Sequence, residues 1–520
     1  MALAPMTFVF RARTLFMPVL ALALLPVTAQ ERTGGRVEIR SADTWEYDDA
    51  IAPGAQRLKG NVQFAHGDAL MRCDSAYLFE DQRIEAFSHI TVQQGDSLFM
   101  QGDRLHYRGS DRTARIEGNV LLRDRSMTLE TPALDYDLRN KRGNYANGGR
   151  ITSSDGSVLT SDVGVYLAGP RLFQFSRNVR SDHPERSIVC DTMHYAPGTS
   201  SVYFFGPSII TLKRDSTVIR TTRGSFDTAN DRALFSRRSS VATKGRLLEG
   251  DSLDYDKRRG MGRAWGHVQL TDTAADMITR GDHGTYAEQR DEAIVTGRAE
   301  LIFLLGEDSL FLHADSLIAR PDSSGGPRRV TARRGVRFYK TDLQGTCDTL
   351  IYSEADSLIR MFHRPVLWSG DDQITGRHLR IQLRDGAVHR LYAEQDCFLM
   401  SQVDSSHYDQ VTGTEMTGYF VNNDLHRLLV EGNARTIYFA LEGEVEEERR
   451  ITAVNRADCS RIAVGMRDGE ANTITFMTQP DATLYPLEQV PAEELRMQGA
   501  DWRSPERPTD RVDIFRTVTE

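Results

Sequence analysis

The stretch Gly60-Asn61-Val62-Gln63-Phe64-Ala65-His66-Gly67-Asp68-Ala69-Leu70-Met71-Arg72-Cys73-Asp74-Ser75-Ala76-Tyr77-Leu78 decides the fold. Apolar residues two apart lie on either side of a His-Gly-Asp turn, which reads as strand, turn, strand. The phrase then recurs. Anchor positions fall at Asp74, Asp103, Pro132, Asp162, Asp191, Thr222, Asp251, Asp282, Asp315, Asp348, Arg377, Glu415 and, more loosely, Asp458. Most gaps are 29 to 33 residues; the last two widen to 38 and 43. Four residues after the anchor, Tyr fills eight of thirteen places, although the chain has only 17 Tyr among 520 residues. A fixed period of this kind means one supersecondary unit stacked many times.

Each repeat reads as two short strands and two turns. Ile90-Thr91-Val92, Val120-Leu121-Leu122, Phe173-Gln174-Phe175, Val268-Gln269-Leu270, Val336-Arg337-Phe338 and Val366-Leu367-Trp368 repeat the alternation. Gly-x-Val or Gly-x-Ala recurs at Gly60, Gly118, Gly266 and Gly432, where a strand entrance with a bend or bulge is expected. Helical periodicity is almost absent, so the chain is expected to be all-β. One strand per wall from each of about thirteen repeats would make a groove of roughly 60 Å at ~4.8 Å per strand.

The bulk numbers agree. Charged residues are 26 % and hydrophobic residues 40 %, which excludes disorder and a membrane-embedded chain. The net charge is −9, a poor match to nucleic acid. Residues 1–29 read as an export signal. Arg11 and Arg13 precede the apolar run Leu15 to Leu25, and Val27-Thr28-Ala29 offers a small-residue cleavage site. The run is too short, and too broken by Pro18 and Pro26, for a membrane span. No Cys follows the cleavage point, so no lipid anchor is expected there.

Repeats are assigned to 30–440, an acidic loop and last strand pair to 441–478, and a proline-rich cap over the last strand edge to 479–520. Pro491 to Met497 reads as one short helix. The charge run Glu442 to Arg450 reads as a solvated hairpin tip. Of the five cysteines, Cys73, Cys190 and Cys347 directly precede anchors, and Cys397 and Cys459 complete the set. Repeats that far apart cannot bring Cα atoms within disulfide reach, so the shared position reads as a small buried residue. No CxxC spacing suggests zinc.

Sharper motifs dissolve into the repeat. Gly-Asp-Ser-Leu at Gly95 and Gly250 carries the phrase of a serine esterase family. Asp404 and His407 supply an Asp-x-x-His, so Ser97 or Ser252 could be written as a nucleophile. Asp-Ser-Leu also occurs at Asp308, Asp315 and Asp356, however, and the alternating helices of such enzymes are missing. His106 and His194 share a repeat place without metal spacing. The anchor Asp residues are expected to bond turn amides rather than cations.

Export signal, Gly-Asn-Val phrases, Asp-Ser-Ala-Tyr and Asp-x-Leu-x-Tyr phrases and a period near 30 together resemble the OstA-like (organic solvent tolerance) family. That family includes LptA and the N-terminal domain of LptD. Leu58 to Val62, Cys73 to Tyr77, Ile84 to Phe87 and Gln94 to Leu98 carry the likeness, and Trp502-Arg503 with Arg507-Pro508 resembles the end of long members. It covers roughly residues 37–508.

The resemblance implies an elongated open β-jellyroll, a folded-over sheet with a greasy inner face. It implies a periplasmic, non-enzymatic carrier, associated with outer-membrane assembly, that holds lipopolysaccharide acyl chains. It implies no cofactor; the acidic charge argues against nucleic acid, and open strand edges at either end would invite edge-to-edge pairing with other jellyroll proteins of the transport machinery. The candidate lipid-contacting residues are Val62, Phe64, Val92, Val120, Leu122, Phe173, Phe175, Val268, Leu270, Phe303 and Phe338. Any β core needs such residues too. The rival architecture is a right-handed parallel β-helix, as a polysaccharide-degrading enzyme or a structural surface array.

Overall fold

The computed structural model describes residues 36–517, apart from 48, 51–52, 97, 126, 306–307, 324–325, 385–386, 422–423, 443–449 and 468–469. The expected export signal and the charge run at 443–449 therefore lie outside the described residues. The rest is one sheet of 36 strands with short 3-10 turns at Pro197–Thr199 and near the C-terminus.

Successive strands pair antiparallel with their neighbours in sequence. Ala55–His66 pairs with Ala69–Phe79, that strand with Arg83–Gln94, and that one with Leu98–Arg108. A parallel β-helix requires parallel ladders, so the rival architecture is excluded.

The strands are longer than the sequence reading expected, and each is folded. Ala55–His66 runs 12 residues through Gly60-Asn61, which faces the single residue Asp74. This is a bulge of two residues against one. Gly60 and Asn61 take φ of 74° and 47°, and Gly118 and Asn119 take 76° and 47°. Two left-handed residues in succession favour Gly and Asn, which adopt that region at least cost. The Gly-Asn phrase is thus a mid-strand fold rather than a strand entrance.

The phase of burial slips at the same place on the partner strand. In Leu98–Arg108 the inward residues are Leu98, Met100 and Gly102, then Leu105 and Tyr107. The slip falls at the anchor, Asp103. One half of each strand builds one wall, the other half builds the second, and the bulges line the crease between them.

The crease explains two sequence signals. The residue before each anchor sits inside the fold and must be small: Cys73, Gly102, Thr131, Ser161, Cys190, Thr221, Gly250, Gly281, Ala314 and Cys347 share the place. A Cβ on Gly102 would meet Ile116 at 2.4 Å, and one on Gly281 would meet Val295 at 2.5 Å. Cys73 and Cys190 are free and buried, and burial pushes both thiols up to about 12. Among the described residues the anchor carboxylates do not bond turn amides. Several reach the bulge of the next folded strand: Asn119 donates to Asp103 at 2.8 Å, Asn178 donates to Asp162 at 2.7 Å, and the His267 ring lies 2.6 Å from Asp251; Asp191 and Asp348 instead accept from the hydroxyls of Thr192 and Thr349.

Each repeat therefore contributes two folded strands, not one strand per wall. Eight levels are divided into two short strands at the crease, which leaves about 28 levels and a groove of ~130 Å along the sheet. The sequence-based length of roughly 60 Å was short by half for this reason.

The tail does not stop at the last edge. Asp481–Pro486 pairs beside Arg450–Arg467. Residues 487–516 then run back over the outer face of one wall as a strap. Pro491 to Met497 holds only a 3-10 turn, Ala492–Glu494, instead of a helix. Side chains of the wall receive the strap's backbone. Gln410 donates to Leu495 O and accepts from Met497 N, and Gln373 donates to Asp501 O and accepts from Arg503 N. Both glutamines are 1 % exposed beneath the strap, whose backbone supplies the partners their buried amides need.

Candidate functional groove

The inner faces of the two walls meet in an apolar interior made of two clusters, one ending at Val268 and the other beginning at Met277. Val62, Phe64, Val92, Val120, Leu122, Phe173, Phe175, Val268 and Phe338 are all buried inside it. Leu270 and Phe303 are half-buried on the same inner side.

Packing is tight over most of the length but not everywhere. One cavity of about 250 Å³ is floored by Phe173, Phe175, Ile188, Met193 and Val202. A second of about 160 Å³ is lined by Phe303, Leu310, Phe338, Leu350 and Ile381. Four of the eleven sequence candidates thus border open apolar space: Phe173 and Phe175 in the first cavity, Phe303 and Phe338 in the second. Leu270 borders a small gap of about 10 Å³. The remaining six border none of these three.

The mouth of the groove lies between two margins made of hairpin turns. One margin carries turns such as 67–68, 213–216 and 244–245; the other carries 80–82, 257–260 and 288–291. Polar side chains bridge them at intervals. The Tyr107 hydroxyl lies 2.7 Å from His66, and the Tyr166 hydroxyl donates to Asp124 at 3.0 Å. Lys257 pairs with Asp215 across the mouth and with Glu288 at 3.2 Å on its own side. Arg246 donates to Tyr286 at 2.7 Å and pairs with Asp291, and Arg328 lies 3.2 Å from both Asp272 and Asp291.

Electrostatics mark these bridges. Burial would raise the Asp215 carboxyl, but bonds from Lys257 and Thr217 outweigh it and hold the group below its ordinary value. Burial would lower Lys257, and its carboxylate partners raise it instead. The repeat's Tyr, read at first only as a register mark, is thus part of the closure: Tyr107, Tyr166 and Tyr286 are anchor-plus-four residues. A polar tip on an otherwise inward ring was the available signal.

The two cavities open differently. Ser153, Asp155, Ser157, His183, Arg186 and Thr228 surround the first mouth. Leu305, Tyr352, Ile359 and Leu383 surround the second.

The esterase constellation is not assembled. Ser97 lies outside the described residues. Ser252 and His407 are separated by roughly nine strand spacings, on the order of 40 Å. His407 bonds Asp404 at 2.8 Å within its own turn. Among the described residues no group of three His, Cys, Asp or Glu could hold a metal ion, and no helix is long and apolar enough to cross a membrane.

Comparison with known proteins follows the same outline. Residues 35–191 match the family described as OstA-like protein, and residues 277–387 match the family described as LptA/(LptD N-terminal domain) LPS transport protein. No curated protein matches in sequence. Fourteen chains among solved structures match. One is LptH, the LptA homologous periplasmic component of the conserved lipopolysaccharide transport device from Pseudomonas aeruginosa. It is 12 % identical, and the match covers 23 % of this chain and 82 % of that one with a TM-score of 0.20. One family signature lies in each half of a single folded sheet, so the chain is OstA-like over the first stretch and similar to LptA and the N-terminal domain of LptD over the second.

Proposed function

We propose that this protein is a periplasmic, non-enzymatic lipid carrier that holds acyl chains of lipopolysaccharide between its two walls and serves lipopolysaccharide transport toward the outer membrane. The observation that carries this reading is apolar space left open inside an otherwise tightly packed folded sheet. An acyl chain gains about 0.8 kcal/mol for each CH₂ it buries, and the cavities present Phe, Leu, Ile and Met to it. The matched families supply the lipid class. Edge strands at the first and last levels offer backbone groups to other jellyroll proteins.

Incubating the purified chain with lipopolysaccharide and following co-migration in native gels tests the reading. A co-migrating complex is expected. Failure to bind lipopolysaccharide, together with failure to bind any acyl probe, would sink it.

A further inference from the structure

The strap and the wall beneath it enclose a second kind of space, outside the groove. A cleft of about 780 Å³ lies between them at the crease, lined by His313, Arg337, His363, Arg364, Arg503 and Arg516. Arg337 is the unusual member. Its side chain is only 6 % exposed, and its nearest carboxylate, Asp513, stands 3.8 Å away, beyond hydrogen-bond reach. Its Nε and Nη2 have no hydrogen-bond partner among the described residues. A buried guanidinium with unfilled donors is costly.

The surrounding acids are largely committed elsewhere. Glu506 accepts twice from Arg503, at 2.7 and 2.6 Å. Asp513 pairs with Arg516 at 3.1 Å and accepts from Thr509 N at 3.0 Å. Asp348 accepts from Thr349 at 2.8 Å, and Asp315 stands exposed at the crease. Burial, and then the neighbouring Arg516, push Arg337 below the ordinary guanidinium range. Burial lowers His313 as well, and Arg337 and Arg298 add to that shift.

We propose that this cleft is an oxyanion site, in which a phosphate group bridges Arg337 and Arg364 of the wall to Arg516 of the strap. Guanidinium forks match phosphate oxygens in planar pairs of hydrogen bonds. Such an anion would fill the orphaned donors of Arg337 and clamp the strap where it ends. The site is independent of the lipid groove: it lies on the outer face and requires no acyl chain.

The test uses the full chain and hydrogen exchange of residues 501–516. Inorganic phosphate should slow exchange there by roughly 5-fold or more, and sodium chloride at equal ionic strength should not. Arg337→Met and Arg516→Gln should each abolish the response. Arg516 also donates to Pro505 O at 2.8 Å and to Arg507 O at 3.3 Å within the strap, so each variant's own exchange at 501–516 without phosphate is the baseline against which its response is read. Dihexanoyl phosphatidate in a parallel arm separates the sources. Stronger protection by it assigns the site to a lipid headgroup, and equal protection assigns it to phosphate alone. Protection by chloride equal to phosphate, or protection that survives in Arg516→Gln, overturns the proposal.

Discussion

The cavity floored by Phe173 and Phe175 and the cavity lined by Phe303 and Phe338 are built from repeats of the same kind of folded strand, yet they are held differently. The first sits among levels whose margins are bridged by Asp124–Tyr166 and, further along, Lys257–Asp215. Its mouth is polar. The second straddles the level of Arg328, its mouth is mostly apolar, and its outer wall is reinforced by the strap. The difference teaches that the groove floor is repeat grammar, while the margins and the outer face give each region its character.

The strongest way to break this comparison is to remove the strap. Deleting residues 487–520 uncovers Gln373, Gln410, Trp368, Ile437 and Phe439, all 1 % exposed or less. We expect a loss of the order of 5–10 kcal/mol, confined by hydrogen exchange to levels after residue 292. Equal loosening in Ala55–Arg123 would mean that the two regions are one cooperative unit.

Paired truncations come next. Phe338→Ala and Phe175→Ala should each cost about 3 kcal/mol and enlarge one cavity only. Thermal melts combined with binding of a fluorescent fatty acid would read both effects. Enhanced uptake by both variants supports two separate acyl sites, and an identical change in a single class of sites contradicts them.

Lys257→Met attacks the closure of the first region. It strands Asp215 and Glu288 at the mouth, for an expected cost of about 1–3 kcal/mol. Exchange should quicken at 213–217 and 286–291 and stay unchanged at 343–383. Uniform change along the chain would show that the bridges are not local latches.

The smallest effect concerns two acids of the second region. Gln373 and Gln410 face the strap, so strand alternation turns Asp372 and Asp409 inward. Burial pushes Asp372 up to about 6 and Asp409 up to about 7. The folded state therefore keeps protons that the unfolded state releases near pH 4, and stability falls as pH rises from about 4 to 7. Asp409→Asn should flatten that slope and stabilise the protein at pH 8 by about 1–3 kcal/mol. An unchanged slope would place the titration elsewhere.

The sequence made the array legible through particular residues. Gly-Asn pairs marked the crease because they take the left-handed region at least cost, whereas bulges such as Ser88-His89 and Gln395-Asp396 carried no such mark; the small residue before each anchor marked its inner corner. The number of levels was misread because a bulge in mid-strand looks, in one dimension, like the boundary between two strands. The strap was missed because its anchors, Gln373 and Gln410, lie more than 80 residues from their partners. Nothing local distinguishes a buried outward Gln from a solvated one. Candidate groove residues were legible as a face, since alternation sets direction. Which of them border open space depends on packing between levels, and Phe173 and Val62 look alike in that respect.

Photo-crosslinking in cells tests the central claim most directly. A crosslinking residue at Phe175 or Phe338, inside the groove, should capture lipopolysaccharide, and one at Phe205, 41 % exposed on the outer face, should not. Capture at Phe205 equal to that at Phe175, or capture of protein alone at every position, would contradict a lipid-carrying groove.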